Sequence, residues 1–211
     1  MNANIEYRGS FPVELRAEDN AVRVSGHAAV FNQETNILDY FREVIRPGAF
    51  TRAIREDDVP FLIEHDGLPL ARTASGTLKL SEDEIGLRIE SELDATDPDV
   101  ARCVPKMKRG DLSKMSFAFV PTRQEWDETG DIPLRIIHEC RLFDVSIVTN
   151  PAYTGTDIGL RSLSEWRAAH APTPEPTPEP ELELPIPIAV NRAPIIGASL
   201  RMRHELALRT R

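Results

Sequence analysis

Between residues 21 and 31 the chain reads AVRVSGHAAVF, alternating apolar with polar and then turning wholly apolar, the pattern of a strand entering a core. Shorter runs repeat the signal. Glu43-Val44-Ile45-Arg46 reads as a strand stopped by Pro47-Gly48, and Val59–His65 (VPFLIEH) as a buried strand. Thr77–Leu80 and Ile85–Leu93 flank the polar turn SEDE and predict a hairpin with Leu78, Leu80, Leu87, Ile89 and Leu93 facing inward. Ser116–Val120 and Leu134–Thr149 predict further strands. Helical signals are fewer. Gly48–Glu56 (GAFTRAIRE) places Phe50 and Ile54 at i and i+4. Asp97-Pro98 has the chemistry of an N-cap followed by N1, and Gly110 that of a helix stop, with Pro105 between them predicting a kink or a shorter helix. Ser162–His170 predicts a terminal helix. Many strands and few helices indicate a mainly β domain with peripheral helices (α+β), a barrel or a sandwich, over residues 1–170.

The pattern breaks at residue 171. Residues 171–187, APTPEPTPEPELELPIP, cannot form a helix or central strand, because proline fixes φ and lacks the amide proton; an extended acidic linker is expected. Residues 188–211 reverse the charge, with Arg192, Arg201, Arg203, Arg209 and Arg211 against Glu205, and read either as a short basic helix or as a frayed tail. The whole chain of 211 residues carries 34 acidic and 25 basic side chains, a formal charge of −9. That balance argues against nucleic acid as the main partner, since phosphate binding needs a basic face. No apolar stretch approaches the length of a membrane span, and the polar N-terminus lacks a signal core. Two cysteines, Cys103 and Cys140, make no disulfide framework and no zinc spacing, and fit a reducing compartment.

Among five histidines, His65 stands out. It closes the apolar run Val59–Ile63 between Glu64 and Asp66, at the rim of a sheet, where an imidazole can serve as a base; a histidine satisfied by its neighbours is the alternative. Ser116 begins the apolar run SFAFV after a polar turn, with the small Ala118 two positions on along the same face, which leaves room above a nucleophilic hydroxyl. Ser113 falls in the turn, and Ser146, deep in LFDVSIVT, reads as a buried hydrogen-bonded hydroxyl. Asp144 is the only charge in that apolar run, so its carboxylate must be paired, either in orienting a histidine or in a structural ion pair. His138 shares the parity of Asp144 on a continuous strand and is the other candidate for the third role.

In order along the chain, GHAAVFN (Gly26–Asn32), IRPGAF (Ile45–Phe50), LIEHD (Leu62–Asp66), GLRIESEL (Gly86–Leu93), RGDLSKMSFAF (Arg109–Phe119) and LFDVSIVTNPAY (Leu142–Tyr153) resemble the landmarks of the tailed-bacteriophage prohead proteases. The resemblance covers about residues 20–160. It implies a β-barrel wrapped by helices, akin to the herpesvirus assembly proteases, and a serine endopeptidase with Ser116 as nucleophile, His65 as base and Asp144 as third member. Asp144 departs from the glutamate usual at its position, and Ala118 and Ala71 stand where glycine is common. The resemblance further implies as substrates the scaffold, or the scaffold-like segment of the major capsid protein, and the protease itself. Cleavage would take place inside the assembling prohead in the host cytoplasm, without cofactor or metal, and with homo-oligomerisation as one way of timing activity. The rival reading is a non-enzymatic assembly or scaffolding protein on the same fold. The charge reversal of the tail suggests a tether to an acidic capsid surface, or a target of self-cleavage.

Overall fold

The structure is a computed structural model that describes residues 5–18, 21–150 and 156–170. The expected acidic linker and basic tail lie outside the described residues. Ten strands dominate: β1 (Glu6–Glu18), β2 (Ala21–Val30), β3 (Thr35–Ile37), β4 (Phe41–Ile45), β5 (Pro60–Ile63), β6 (Asp66–Arg72), β7 (Leu78–Glu82), β8 (Gly86–Asp94), β9 (Lys114–Asp127) and β10 (Leu134–Val148). Among the described residues three helices accompany them: α1 (Thr51–Glu56), α2 (Pro98–Arg109) and α3 (Thr156–His170). The domain is therefore mainly β with peripheral helices. The sheet is mixed and runs β3-β4-β10-β9-β1-β2-β8-β7, with β5 pairing both β10 and β6. Among the described residues its path is open, with β3 and β7 at its two ends.

The predicted strands are present, and the hairpin across SEDE is β7–β8, with Leu78, Leu87, Ile89 and Leu93 buried and Leu80 partly so. α2 follows its caps. The Asp97 carboxylate accepts from the Asp99 amide at 2.7 Å, Pro98 occupies the first turn, and Gly110 ends the helix at φ 84°, a left-handed conformation that glycine adopts without a Cβ clash. Pro105 does not shorten it; the helix runs through to Arg109 and buries Val100, Cys103 and Met107 on one face. The core they join includes an aromatic run, Phe31–Phe50–Phe117–Phe119, with successive ring centroids 6.1, 5.6 and 4.8 Å apart.

Three strands had no sequence signal: β3, β6 and, most consequentially, β1. Through residues 6–12 β1 pairs with β9, and through residues 13–18 with β2, so it joins the two halves of the sheet. Its even positions Glu6 and Arg8 are 0% and 4% exposed, charges where a strand reading looks for apolar residues. Arg135 and Glu43 match them. Arg135 reaches Glu6 at 2.8 and 2.9 Å and Glu43 at 3.1 Å, and Arg8 reaches Glu43 and Glu6 at 2.8 Å. Among the described residues, two guanidinium and two carboxylate groups thus face one another inside the protein, since buried charges need partners.

Candidate active site

Three strands present one face to the site. On β9, Met115, Phe117 and Phe119 point into the core, so Ser116 and Ala118 point the other way. On β10 the core residues Val145 and Ile147 alternate with Asp144 and Ser146. Antiparallel register sets Ser146 opposite Ser116 and Asp144 opposite Ala118, while on the far side of β9 Gly9 and Tyr7 of β1 lie opposite Ser116 and Ala118. The site is therefore a grid two residues deep across β1, β9 and β10.

His65 is supplied from outside the grid. It does not end a strand, as expected from VPFLIEH; it lies in the tight turn between β5 and β6, where Ile63 pairs with Asp66. Glu64 and His65 have φ of 53° and 60°, the left-handed pair that a two-residue hairpin turn demands and that costs side-chain-bearing residues about 1–2 kcal/mol each. The turn is held from below: the Glu64 amide donates to the Ile147 carbonyl at 3.0 Å, and the Glu64 carboxylate accepts from the Thr149 amide at 2.8 Å. Both anchors lie at the end of β10, so the strand that carries Asp144 also fixes the turn that carries His65.

The side chains then meet. His65 Nε2 lies 2.7 Å from Ser116 Oγ, and His65 Nδ1 lies 2.6 Å from Asp144 Oδ1. Against a carboxylate Nδ1 carries the proton, which leaves Nε2 of the neutral ring free to accept. Ser146 Oγ donates to the same Asp144 oxygen at 2.7 Å. Tyr7 packs edge-on against the His65 ring, with centroids 4.6 Å apart. Ser116 and Ser146 are wholly buried, and the His65 and Asp144 side chains are 11% and 10% exposed.

Ser116 Oγ has a second neighbour, the Arg8 carbonyl at 2.9 Å. A hydroxyl has one proton to give. With Nδ1–H committed to Asp144, the Arg8 carbonyl and a neutral His65 compete for that proton; both contacts are made together only when Nε2 is also protonated. Gly9 lies close by. A Cβ there would stand 2.3 Å from the Met115 carbonyl oxygen and 2.7 Å from Ser116 Cα, so only glycine lets β1 run this near the serine.

Of the residues singled out in the sequence, His65, Ser116 and Asp144 come together and His138 does not. His138 is six residues from Asp144, about 20 Å along a strand, and the pairing of β10 with β9 shifts register three times between Ile137 and Asp144. Its Nε2 lies 3.4 Å from the Glu125 carboxylate without hydrogen-bond geometry. Ser113 sits in the turn before β9, as expected, and its carbonyl accepts from Val13. His27 bonds Asp83 at 2.8 Å, and that contact, ahead of two backbone amides, holds the Asp83 pKa at about 2. Tyr7, the Arg8 carbonyl and Gly9 went unread because β1 itself did. Ser146 was correctly read as buried, but its partner is visible only in space.

A serine, a histidine and a carboxylate in one hydrogen-bonded chain are the arrangement of a serine hydrolase. A family model described as caudovirus prohead serine protease matches residues 11–169, and the chain belongs to that family. It is a serine endopeptidase of capsid maturation. No curated protein and no solved structure matches the chain. None of the helices among the described residues is long and apolar enough to cross a membrane.

Proposed function

We propose that Ser116, His65 and Asp144 are the catalytic residues of this protease, and that it cleaves the scaffold, or the scaffold-like segment of the major capsid protein, together with its own chain. The observation that carries the reading is the continuous contact from Ser116 Oγ through His65 to Asp144, at 2.7 and 2.6 Å. His65 Nε2 takes the Ser116 proton as Oγ attacks the peptide carbonyl, and Asp144 stabilises the imidazolium that forms. His65 returns the proton to the leaving amine, an acyl-Ser116 remains, and a water deprotonated by His65 hydrolyses it. Kinship with the herpesvirus assembly proteases belongs to the same reading. It rests on the resemblance of the sequence landmarks, not on the sheet, whose path is open among the described residues.

The test is to co-express the chain with the capsid protein of its own virus and follow both masses over time. Wild type is expected to shorten the capsid protein and itself, and Ser116→Ala to leave both intact. Equal processing by the two would remove Ser116 as nucleophile.

A further inference from the structure

The triad accounts for one of the two donors on Asp144 Oδ1. The other is Ser146, two residues along the same face of β10 and directly across the register from Ser116. It is wholly buried, beside β5, where Ser146 pairs with Leu62. A buried hydroxyl needs a partner, and β10 offers many backbone groups, yet its Oγ is spent on the one carboxylate oxygen that also faces His65. We infer that Ser146 is a positioning residue for catalysis, acting through Asp144. This rests on the triad reading above.

The physical argument is one of freedom. Asp144 follows a register shift between Leu142 and Asp144, so the regular ladder alone does not set its direction. An aspartate held only by His65 can turn about two side-chain torsions and present either oxygen. A short hydrogen bond from the buried Ser146 hydroxyl restricts that freedom. The ring that Asp144 holds is then aimed at Ser116 without reorganisation, the condition under which charge stabilisation acts most strongly.

The experiment measures kcat and KM on a peptide spanning a site that the wild type cuts, for Ser146→Ala, Ser146→Cys and Ser146→Thr, and for Ser146→Ala combined with Asp144→Ala. Loss of a hydrogen bond to a charged group predicts a fall in kcat of about 10-fold in Ser146→Ala, with KM unchanged. Ser146→Cys keeps the shape without a strong donor and is expected to match Ser146→Ala, so it answers the question should the alanine variant not fold. Ser146→Thr keeps the hydroxyl and is expected to exceed both. In the Asp144→Ala background, Ser146→Ala is expected to change nothing further. An unchanged kcat in Ser146→Cys, or the same loss whether or not Asp144 is present, would overturn the role while leaving the triad standing. Activity that survives Ser116→Ala would overturn the triad, and with it this inference.

Discussion

At the scale of the residue, the site depends on side chains held in places they would not choose. Glu64 and His65 both occupy left-handed backbone, and what keeps them there is the grip of β10 on Glu64 from one side and the Asp144–His65–Ser116 contacts from the other. Such strain at a functional turn persists only when its surroundings over-determine it. Asp144→Asn separates charge from orientation. Ser146 donates to Oδ1, so an asparagine keeps its oxygen toward His65 and preserves the Nδ1–H tautomer, while the negative charge that stabilises the imidazolium in the proposed mechanism disappears. The expected result is a lower kcat at unchanged KM. The loss should be smaller than the roughly 10⁴-fold seen where an amide forces the wrong tautomer. Steady-state kinetics on the same peptide decide it, and a variant as fast as wild type would mean that the charge plays no part.

At the scale of the element, β1 connects fold and site. Its odd positions, Tyr7 and Gly9, face the His65 ring and the serine, and its even positions, Glu6 and Arg8, enter the buried charge cluster. One strand therefore serves both faces, and a change on one face is felt on the other. Gly9→Ala tests this. The added methyl has no space between the Met115 carbonyl and Ser116, so β1 must step away from β9. Overpacking of this kind costs about 1–3 kcal/mol. The variant is expected to show an earlier urea midpoint, together with faster amide exchange over residues 6–9. Unchanged exchange there would show that β1 does not lie against the serine in solution. The element scale also shows why β1 was illegible in EYRGSFPVEL. Burial of Glu6 and Arg8 is permitted by Glu43, 35 residues from Arg8, and by Arg135, 129 residues from Glu6, and no local pattern can announce partners so distant.

At the scale of the whole molecule, that four-charge cluster joins β1, β4 and β10, and through Gln124 it reaches α3: Arg135 Nε donates to Gln124 Oε1 at 2.6 Å, and Gln124 Nε2 donates to Ser162 Oγ at 2.7 Å. Burial by itself would lower the Arg135 pKa, but the hydrogen bonds and charges of Glu6 and Glu43 more than offset it, and the net shift is upward. Arg135 therefore stays charged and necessary. Arg135→Met would remove one of the two guanidinium groups that face Glu6 and Glu43 among the described residues. Breaking a buried network from one side costs about 3–5 kcal/mol. A clear drop in Tm is expected; an unchanged Tm would show that water reaches the cluster and the charges are not buried together.

The sequence alone determined what chemistry is local. Alternation located most strands, Asp97 and Gly110 bounded α2, and an isolated aspartate in an apolar strand, a serine opening another and a histidine after a third supplied the members of the proposed site. Distances between strands were beyond it. Only the tertiary structure separated Asp144 from His138, because register shifts and about 20 Å of strand lie between them. Only it placed His65 in a turn and brought β1 over Ser116. It alone turned Ser146 from a buried hydroxyl into the second donor on Asp144. The physical reason is the same in each case: periodicity reports which face a residue takes, whereas hydrogen bonds and ion pairs depend on which strand lies alongside.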